Sequence, residues 1–298
     1  MLLDAATCAA LLPNRPLDGH KGTFGTLVCV CGSLGYAGAA LLCGLGAARA
    51  GVGLVTLAVP TSLQPVLAGR VPELVTLGLP ETAGDIDARD SGHALKGSAH
   101  DALVIGCGVR ESDAYRELTL GLVARQGPPM VLDGGALTLL SRSAKWWVSA
   151  QRACVLTPHP GEFQRLMGSP PAEGDGGREE SARAAAALFG QVVVLKGART
   201  VIATPDGQTA IAPFANAALA TAGSGDVLAG TIGSLLAQKL APFDAARLGV
   251  WLHGRAAERI SERLGDSGLI ASDLPYEIAV ARHELAANPR ATPRATRA

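Results

Sequence analysis

The glycine-rich string Ala220–Gly230, which reads ATAGSGDVLAG, contains the residue best placed to do chemistry. Two glycines flank Ser224, and Asp226 follows as the only charged residue between Gly207 and Gln238. A glycine-rich turn at a helix start presents backbone N–H groups to an anion, and the helix dipole adds to the attraction. The Asp226 carboxylate is therefore either an N-cap of this helix or a base beside a phosphoryl acceptor, and the sequence leaves both interpretations open.

A second string, Thr157–Glu162 or TPHPGE, combines a histidine and a carboxylate with two prolines. The prolines restrict the backbone on both sides of His159, so its imidazole is rigidly presented. Glu162 falls in the first turn of the next predicted helix, where a negative charge is favourable. Both residues are therefore candidates for a site, with a purely structural role as the alternative.

A third string, Leu195–Thr200 or LKGART, ends another predicted strand. Lys196 and Arg199 beside a glycine suit the phosphates or the sugar of a nucleotide. The alternative is an ordinary turn between strand and hairpin with solvated charges.

Alternating strands and helices position these strings, and this alternation predicts a single α/β domain with a mostly parallel sheet and helices on both faces. The predicted strands are Thr26–Cys31, Leu54–Val59, Ala102–Ile105, Met130–Asp133, Cys154–Thr157 and Val192–Lys196. A β-hairpin at Thr200–Ala212 follows the sixth of them, around a Pro-Asp-Gly turn. The predicted helices are Ala37–Arg49, Asp113–Arg125, Leu137–Val148, Arg178–Phe189, Asp226–Gln238, Pro242–Leu264 and Ala271–Ala286.

Polar or glycine residues follow four of the predicted strands, at Gly32–Ser33, Gly106–Gly108, Asp133 and Thr157–Glu162. Open α/β sheets bind ligands at the carboxyl ends of their strands, so we expect these residues to form one rim. The sequence has neither a GxxxxGK[ST] phosphate loop nor a GxGxxG dinucleotide fingerprint after the first strand. The anion site is therefore expected at the Ala220–Gly230 string.

Composition excludes several classes of protein. The 298 residues carry 26 basic and 26 acidic side chains, and this balance argues against nucleic acid as the partner. Residues 22–48 carry no charge, but their period changes from strand to helix, so we expect no membrane span. We also expect no signal peptide, and six cysteines without a CxxC pair predict reduced thiols in the cytoplasm.

Two segments are expected to lie outside the regular elements. Residues 169–177 predict a surface loop rather than a domain boundary, so residues 1–287 form one domain. Residues 288–298 are rich in proline, alanine and arginine and predict a disordered tail.

Taken together, the strings resemble those of the ADP-dependent NAD(P)H-hydrate dehydratases, members of the ribokinase-like superfamily. The resemblance spans about residues 15–280 and rests on strings in the family's order: HKGTFG (20–25), CGSLGYAGAA (31–40), IGCGV (105–109), TPHPGE (157–162), LKGART (195–200) and TAGSGDVLAG (221–230).

The resemblance implies repair of a nicotinamide coenzyme to whose ring water has added. ADP phosphorylates the hydroxyl of the S epimer, phosphate is eliminated, and NADH or NADPH and AMP result. Asp226 would be the general base. The amides of Gly223, Ser224 and Gly225 would stabilise the transferred phosphoryl group.

The remaining expected contacts come from the same resemblance. Lys196, Gly197, Ala198, Arg199, Thr200 and Gly225 would hold the adenine nucleotide. Ala39, Ala40, Gly108, His159 and Asp226 would line the hydrated coenzyme. Glu162 would act on Mg²⁺ through water, and we expect a homo-oligomer.

The sequence departs from the family pattern at three positions: Ala222 and Gly135 replace a glycine and an acid, and Cys107 replaces a proline. Since no epimerase segment precedes the domain, we expect only one epimer to be used. The alternatives are a superfamily kinase for a small alcohol, such as a thiazole or pyrimidine vitamin precursor, and a non-catalytic nucleotide-binding regulator.

Overall fold

The computed structural model describes residues 1–83 and 85–287, which form alternating strands and helices. The strands are β1 (Thr26–Val30), β2 (Leu54–Pro60), β3 (Val75–Leu79), β4 (Glu81–Thr82), β5 (Asp85–Ile86), β6 (Ala102–Ile105), β7 (Met130–Leu132), β8 (Cys154–Leu156), β9 (Val192–Leu195), β10 (Val201–Ala203) and β11 (Thr209–Ile211). The helices are α1 (Ala5–Ala9), α2 (Ala37–Ala50), α3 (Gln64–Ala68), α4 (Ala88–Gly97), α5 (Asp113–Val123), α6 (Gly134–Ser141), α7 (Pro160–Met167), α8 (Gly174–Phe189), α9 (Ser224–Ala237), α10 (Pro242–Leu264) and α11 (Leu274–Ala287).

Nine strands form the central sheet, in the order β11-β10-β9-β8-β7-β6-β1-β2-β3. The strands from β9 to β3 in this order run parallel, and β10 is antiparallel to both of its neighbours. The pair β10–β11 is the hairpin predicted after the sixth strand. These strands confirm the predicted α/β class and bring the carboxyl ends of β6, β7, β8 and β9 to one edge.

Side chains of the central strands alternate between two hydrophobic layers. Leu27 and Cys29 of β1 belong to the layer under α2, α9 and α10, whereas Val28 and Val30 belong to the layer under α5, α6 and α8. Both layers are closed to solvent, so the strands are apolar throughout, as buried parallel strands require. The sheet therefore carries helices on both faces.

Glycines allow α2 and α9 to approach closely. A Cβ built on Gly230 would lie 1.9 Å from the carbonyl oxygen of Cys43, and one on Gly46 would lie 2.5 Å from that of Val227. Any larger residue would push the helices apart. Part of the glycine content thus serves helix packing and fixes α9, which begins at Ser224.

The structure corrects two of the predicted boundaries. The helix predicted at Leu137–Val148 is α6, which begins at Gly134 and ends at Ser141, and a separate 3₁₀ turn covers Trp146–Ser149. Lys145 has φ +52°, a left-handed conformation that no helix continues through. The predicted loop 169–177 is wrong in its last four residues, which begin α8.

Two further predictions concern the chain ends and the membrane. The predicted disordered tail, residues 288–298, lies outside the described residues. Within the described ranges, none of the helices combines the length and apolar character that crossing a membrane would need.

Candidate active site

Most of the predicted site residues surround one cavity of about 750 Å³ at the carboxyl edge of the sheet. This volume lies within the range typical of small-molecule and cofactor sites. The predicted residues that line it are His159, Glu162, Lys196, Gly197, Ala198, Thr200, Gly223, Ser224, Gly225 and Asp226. Three strings distant in sequence therefore meet at one place.

Asp133 anchors the polar side of the cavity. It follows β7, and its Oδ1 accepts hydrogen bonds from the Thr157 hydroxyl at 2.6 Å and from Lys196 Nζ at 2.8 Å. These partners follow β8 and β9, so one carboxylate ties together three adjacent strand ends. Asp133 is 3% exposed, and Lys196 is thereby held at the cavity wall.

Glu162 and His159 form a capping box at the start of α7. The Glu162 Oε2 accepts the backbone N–H of His159 at 2.8 Å, and His159 Nδ1 accepts the amides of Gly161 and Glu162. The Glu162 side chain is buried, with Oε2 3.7 Å from Lys196 Nζ. The structural interpretation of both residues is therefore correct, and both also line the cavity.

Asp226 is the third residue of α9 and is not its N-cap. The N-cap is Gly223, whose φ of +88° favours glycine, and it places Ser224, Gly225 and Asp226 in the first turn. Amides of a first helical turn lack partners inside the helix, and that of Ser224 makes only a long bond of 3.4 Å to the Thr221 carbonyl oxygen, so this turn can receive an anion. The Ser224 hydroxyl instead closes the turn by donating to the carbonyl oxygens of Leu219 and Thr221.

Burial and the neighbouring Asp133 raise the pKa of Asp226 to about 7, although Cys107 and Lys196 oppose the shift. Burial also raises the pKa of Glu162, against the effect of Lys196. Burial alone would lower the pKa of Lys196, but Asp133 and Glu162 raise it. The cavity thus holds a permanent cation and a carboxylate matched to proton transfer near neutral pH.

The opposite side of the cavity is apolar. The Phe214 ring packs against Gly254, where a Cβ would lie 2.1 Å from the ring, and meets Trp251 edge-on at 6.0 Å. Ala212, Leu219, Leu228 and Val250 complete this wall. A flat heterocycle suits such a surface, while phosphates suit the polar side.

Reasoning from sequence missed the role of one site residue and the presence of another. Asp133 was expected on the rim of strand ends, but its pairing with Lys196 was not, because that pairing depends on the sheet order. His253 in α10 lines the cavity, and its Nε2 lies 3.0 Å from the Ser224 carbonyl oxygen. Burial lowers the His253 pKa to about 4, so the neutral ring donates to that carbonyl. A histidine inside an amphipathic helix gives no sequence signal of this contact.

Four predicted residues do not line this cavity. Arg199 pairs with Asp175 at 2.7 Å, at the start of α8. Ala40 is fully buried, whereas Ala39 packs at Gly108, where a Cβ would lie 2.5 Å from the Ala39 Cβ. The contacts expected of these four residues with ligands stay predictions.

The surface formed by Ala39 and Gly108 adjoins the polar side of the cavity. Cys107, which precedes Gly108, has its sulfur within 4.8 Å of carboxylate oxygens of Asp133 and Asp226. The surface therefore lies near Asp226, outside the lining of the main cavity.

The parallel sheet, with its strand ends at a glycine turn and a helix-borne carboxylate, has the fold of a ribokinase-like superfamily protein of Enterococcus faecalis, with a TM-score of 0.80 at 24% identity. A family model described as NAD(P)H-hydrate dehydratase matches residues 27–279. The chain belongs to the NAD(P)H-hydrate dehydratase family.

Individual relatives agree with this assignment. The chain is 40% identical over 279 residues to the ADP-dependent (S)-NAD(P)H-hydrate dehydratase of Neisseria meningitidis, covering 92% of this chain and 90% of that protein. It is 42% identical over 275 residues to the bifunctional NAD(P)H-hydrate repair enzyme Nnr of Moorella thermoacetica, covering 92% of this chain. The chain spans about half the length of such bifunctional relatives, 52% in this case.

A solved structure shows the same fold. The ADP/ATP-dependent NAD(P)H-hydrate dehydratase of Bacillus subtilis, co-crystallised with ATP and Mg²⁺, superposes with a TM-score of 0.82 at 32% identity. The match covers 95% of this chain and 97% of that chain. The predicted ribokinase-like fold is thereby confirmed.

Proposed function

We propose that this chain dehydrates the S epimer of hydrated NADH or NADPH at the expense of ADP, as a hydro-lyase that repairs nicotinamide coenzymes. The observation that carries the proposal is the position of Asp226. Its carboxylate stands in the first turn of α9, beside Lys196, in a cavity of nucleotide size. The names of the relatives supply the substrate class.

The proposed reaction has two steps. Asp226 accepts the proton of the hydrate hydroxyl, whose oxygen attacks the β-phosphorus of ADP while the bond to the α-phosphate breaks and AMP leaves. The carbon–oxygen bond of the phosphate ester then breaks, phosphate leaves with the electron pair, and the adjacent ring carbon loses a proton. The ring double bond is restored, and no redox change occurs.

The chain's own groups stabilise the transferred phosphoryl group. The amides of Gly223, Ser224 and Gly225 supply the positive end of α9, and Lys196 supplies a fixed ammonium group. Because Thr157 and Lys196 both hold Asp133, the ammonium stays in place without nucleotide. The apolar wall at Phe214 receives the adenine in this proposal.

Mg²⁺ fits the donor set of this cavity. Asp133, Glu162 and Asp226 place three carboxylates at the wall, and Lys196 is the only lysine or arginine that lines the cavity within the described chain. Oxygen donors with excess negative charge are those that Mg²⁺ prefers. Glu162 Oε2 accepts a backbone N–H, so in this proposal Glu162 would hold the ion through water, and the ion would supply positive charge to offset that of the phosphates.

The deciding experiment incubates the chain with hydrated NADPH, ADP and Mg²⁺ and follows the near-UV absorbance of the dihydronicotinamide. Return of the absorbance supports the proposal, whereas no return with either ADP or ATP refutes it. A stable phosphorylated vitamin precursor would instead support the alternative of a small-alcohol kinase. Nucleotide binding without either product would support the non-catalytic regulator.

Two properties of the whole protein complete the proposal. All six cysteines are free and buried, which suits the reducing cytoplasm. We also propose a homo-oligomer, because Leu264, Ile270 and Tyr276 expose apolar surface around the connection between α10 and α11. Sedimentation velocity tests this state, and a monomer at micromolar concentration would contradict it.

A further inference from the structure

Three cysteines that the proposed reaction does not use meet beneath the active site. Cys31 follows β1, Cys43 lies in α2 and Cys107 follows β6, and their sulfur atoms all lie within 4.8 Å of one another. Each residue is 0% exposed. Their elements are fixed, since α9 packs directly on the Cys43 backbone at Gly230. The structure therefore holds a preformed group of three thiols.

This geometry matches the coordination of a thiophilic cation. Zinc–sulfur bonds are about 2.3 Å, so thiolates around one ion stand about 4 Å apart. The three sulfurs, all within 4.8 Å of one another, stand close to that spacing. Cys29, on the same face of β1, offers a fourth thiol beside Cys31 and Cys43. Soft thiolates select soft ions over Mg²⁺, so this group is distinct from the oxygen donors of the cavity.

We propose that Cys31, Cys43 and Cys107 bind one divalent thiophilic cation of the Zn²⁺ or Cd²⁺ type. Three S–H bonds break, three metal–sulfur bonds form and three protons pass to the solvent, without oxidation or reduction. A thiol keeps its proton below its ordinary pKa of about 8.5, so the metal-free cluster carries protons to release near neutral pH. Because Cys31, Cys43 and Cys107 are fully buried, an ion reaches the sulfurs only when the structure opens locally.

The bound ion inhibits the proposed dehydration, and this part rests on the proposed function. Cys107 belongs to the thiol cluster and also contacts a carboxylate of the active site, with its sulfur 3.7 Å from Asp133 Oδ2. It also precedes Gly108, against which Ala39 packs. An ion that draws the Cys107 sulfur toward it displaces Asp133 on one side and the surface formed by Ala39 and Gly108 on the other. We therefore expect a lower kcat and a higher KM for the hydrate.

The binding test uses Cd²⁺ alone and the full chain, so it does not depend on the activity. The ultraviolet thiolate-to-cadmium absorbance reports sulfur ligation, and a weakly buffered indicator counts the protons released. We expect one Cd²⁺ per chain and about three protons per ion. Cys43→Ala and Cys107→Ala should remove the absorbance at equimolar Cd²⁺. Cys154→Ala is the matched control, because Cys154 is also buried but lies outside the cluster.

Thermal unfolding separates a native site from binding to unfolded thiols. A ligand that binds only the folded chain raises Tm, whereas one that prefers the unfolded chain lowers it. We expect Cd²⁺ to raise the Tm of the wild type and of Cys154→Ala, but not that of Cys107→Ala. A lowered wild-type Tm, or cadmium–thiolate absorbance that survives in Cys107→Ala, would overturn the proposal. Activity lost without such binding would count against the metal site and leave the dehydratase proposal standing.

Discussion

Two buried carboxylates, Glu277 in α11 and Glu162 at the active site, have opposite surroundings. Glu277 is 4% exposed and accepts hydrogen bonds from Arg259 Nε at 2.7 Å and from Arg263 Nη2 at 2.6 Å. Glu162 is 5% exposed, and its nearest lysine, Lys196, is 3.7 Å away and already paired with Asp133. Burial would raise both pKa values, but the two arginines lower that of Glu277, whereas that of Glu162 stays raised.

The difference separates a structural ion pair from a binding site. Around Glu277 the positive groups satisfy the carboxylate within the chain, so its charge contributes to stability. At the cavity, the carboxylates of Asp133, Glu162 and Asp226 outnumber the single Lys196. Groups left with raised pKa values in a cleft are those that a substrate, an ion or a proton completes.

Among the substitutions at the active site, Asp226→Asn should lower activity the most. Loss of the general base lowers kcat by about 10²- to 10⁴-fold, while nucleotide affinity changes little. The measurement pairs steady-state kinetics with calorimetric titration of ADP. Turnover that survives the substitution would remove Asp226 from its role as the base.

Lys196→Met removes the ammonium group that the carboxylates share. We expect ADP affinity and kcat both to fall, each by at least tenfold, because phosphate loses a fixed cation. Lys239→Met is the control, since Lys239 pairs with Asp101 on the surface and does not line the cavity. Unchanged ADP affinity in Lys196→Met would contradict the predicted phosphate contact.

Glu277→Gln and Glu162→Gln should affect stability differently. Glu277→Gln leaves Arg259 and Arg263 without their carboxylate and lowers the free energy of unfolding by about 2 kcal/mol. Glu162→Gln removes a poorly compensated charge, so it lowers activity with a smaller loss of stability. Urea unfolding of both variants checks this, and equal destabilisation would show that the two sites do not differ.

The pH dependence of stability should have opposite signs at Asp226 and Glu277. Because the Asp226 pKa is raised from 3.8 to about 7, the folded state binds this proton more tightly than the unfolded state does. The contribution of Asp226 to the free energy of unfolding therefore falls as pH rises through that window. The Glu277 pKa is lowered, so its contribution is present above 4.5 and is lost as pH falls. Unfolding free energies of wild type, Asp226→Asn and Glu277→Gln across pH 2–8 test both signs. A wild type and an Asp226→Asn variant with parallel pH profiles would contradict the raised pKa.

Arg178→Met should have the smallest effect, because Arg178 acts only by positioning the end of β9. Arg178 Nη2 donates to the carbonyl oxygens of Leu195 and Lys196 at 3.2 and 3.0 Å. Losing these bonds should raise the KM for ADP about tenfold, equivalent to about 1.4 kcal/mol, with kcat nearly unchanged. Arg183→Met on the same helix is the control, because Arg183 pairs only with Glu179 and Glu180 among the described contacts. A loss of kcat instead of a rise in KM would contradict a positioning role.

The sequence predicted the interior strands and long helices because their apolar character is local. Strands such as Ala102–Ile105 and helices such as Pro242–Leu264 are confirmed to the residue. The edge strand β3 was missed, because its side chains are half exposed and lack a buried-strand pattern. Helix α6 began earlier than predicted, because Gly134 and Gly135, normally weak helix formers, open it.

The site was predictable only in part, because its contacts join residues that are far apart in the sequence. Each string contains a recognisable glycine, lysine or carboxylate. Which of these residues contact one another depends on the order of the strands in the sheet. Asp133 touches Thr157 and Lys196, which lie 24 and 63 residues further along the chain. The N-cap interpretation of Asp226 failed because the cap position depends on the φ of Gly223, which the sequence permits but does not require.

The ratio of products from a single incubation tests the central claim most directly. With ADP, Mg²⁺ and hydrated NADPH, AMP, phosphate and restored dihydronicotinamide absorbance should appear in equal amounts in the wild type. None of them should appear at a comparable rate in Asp226→Asn. AMP formed without restored absorbance, or restored absorbance that does not depend on Asp226, would contradict the account.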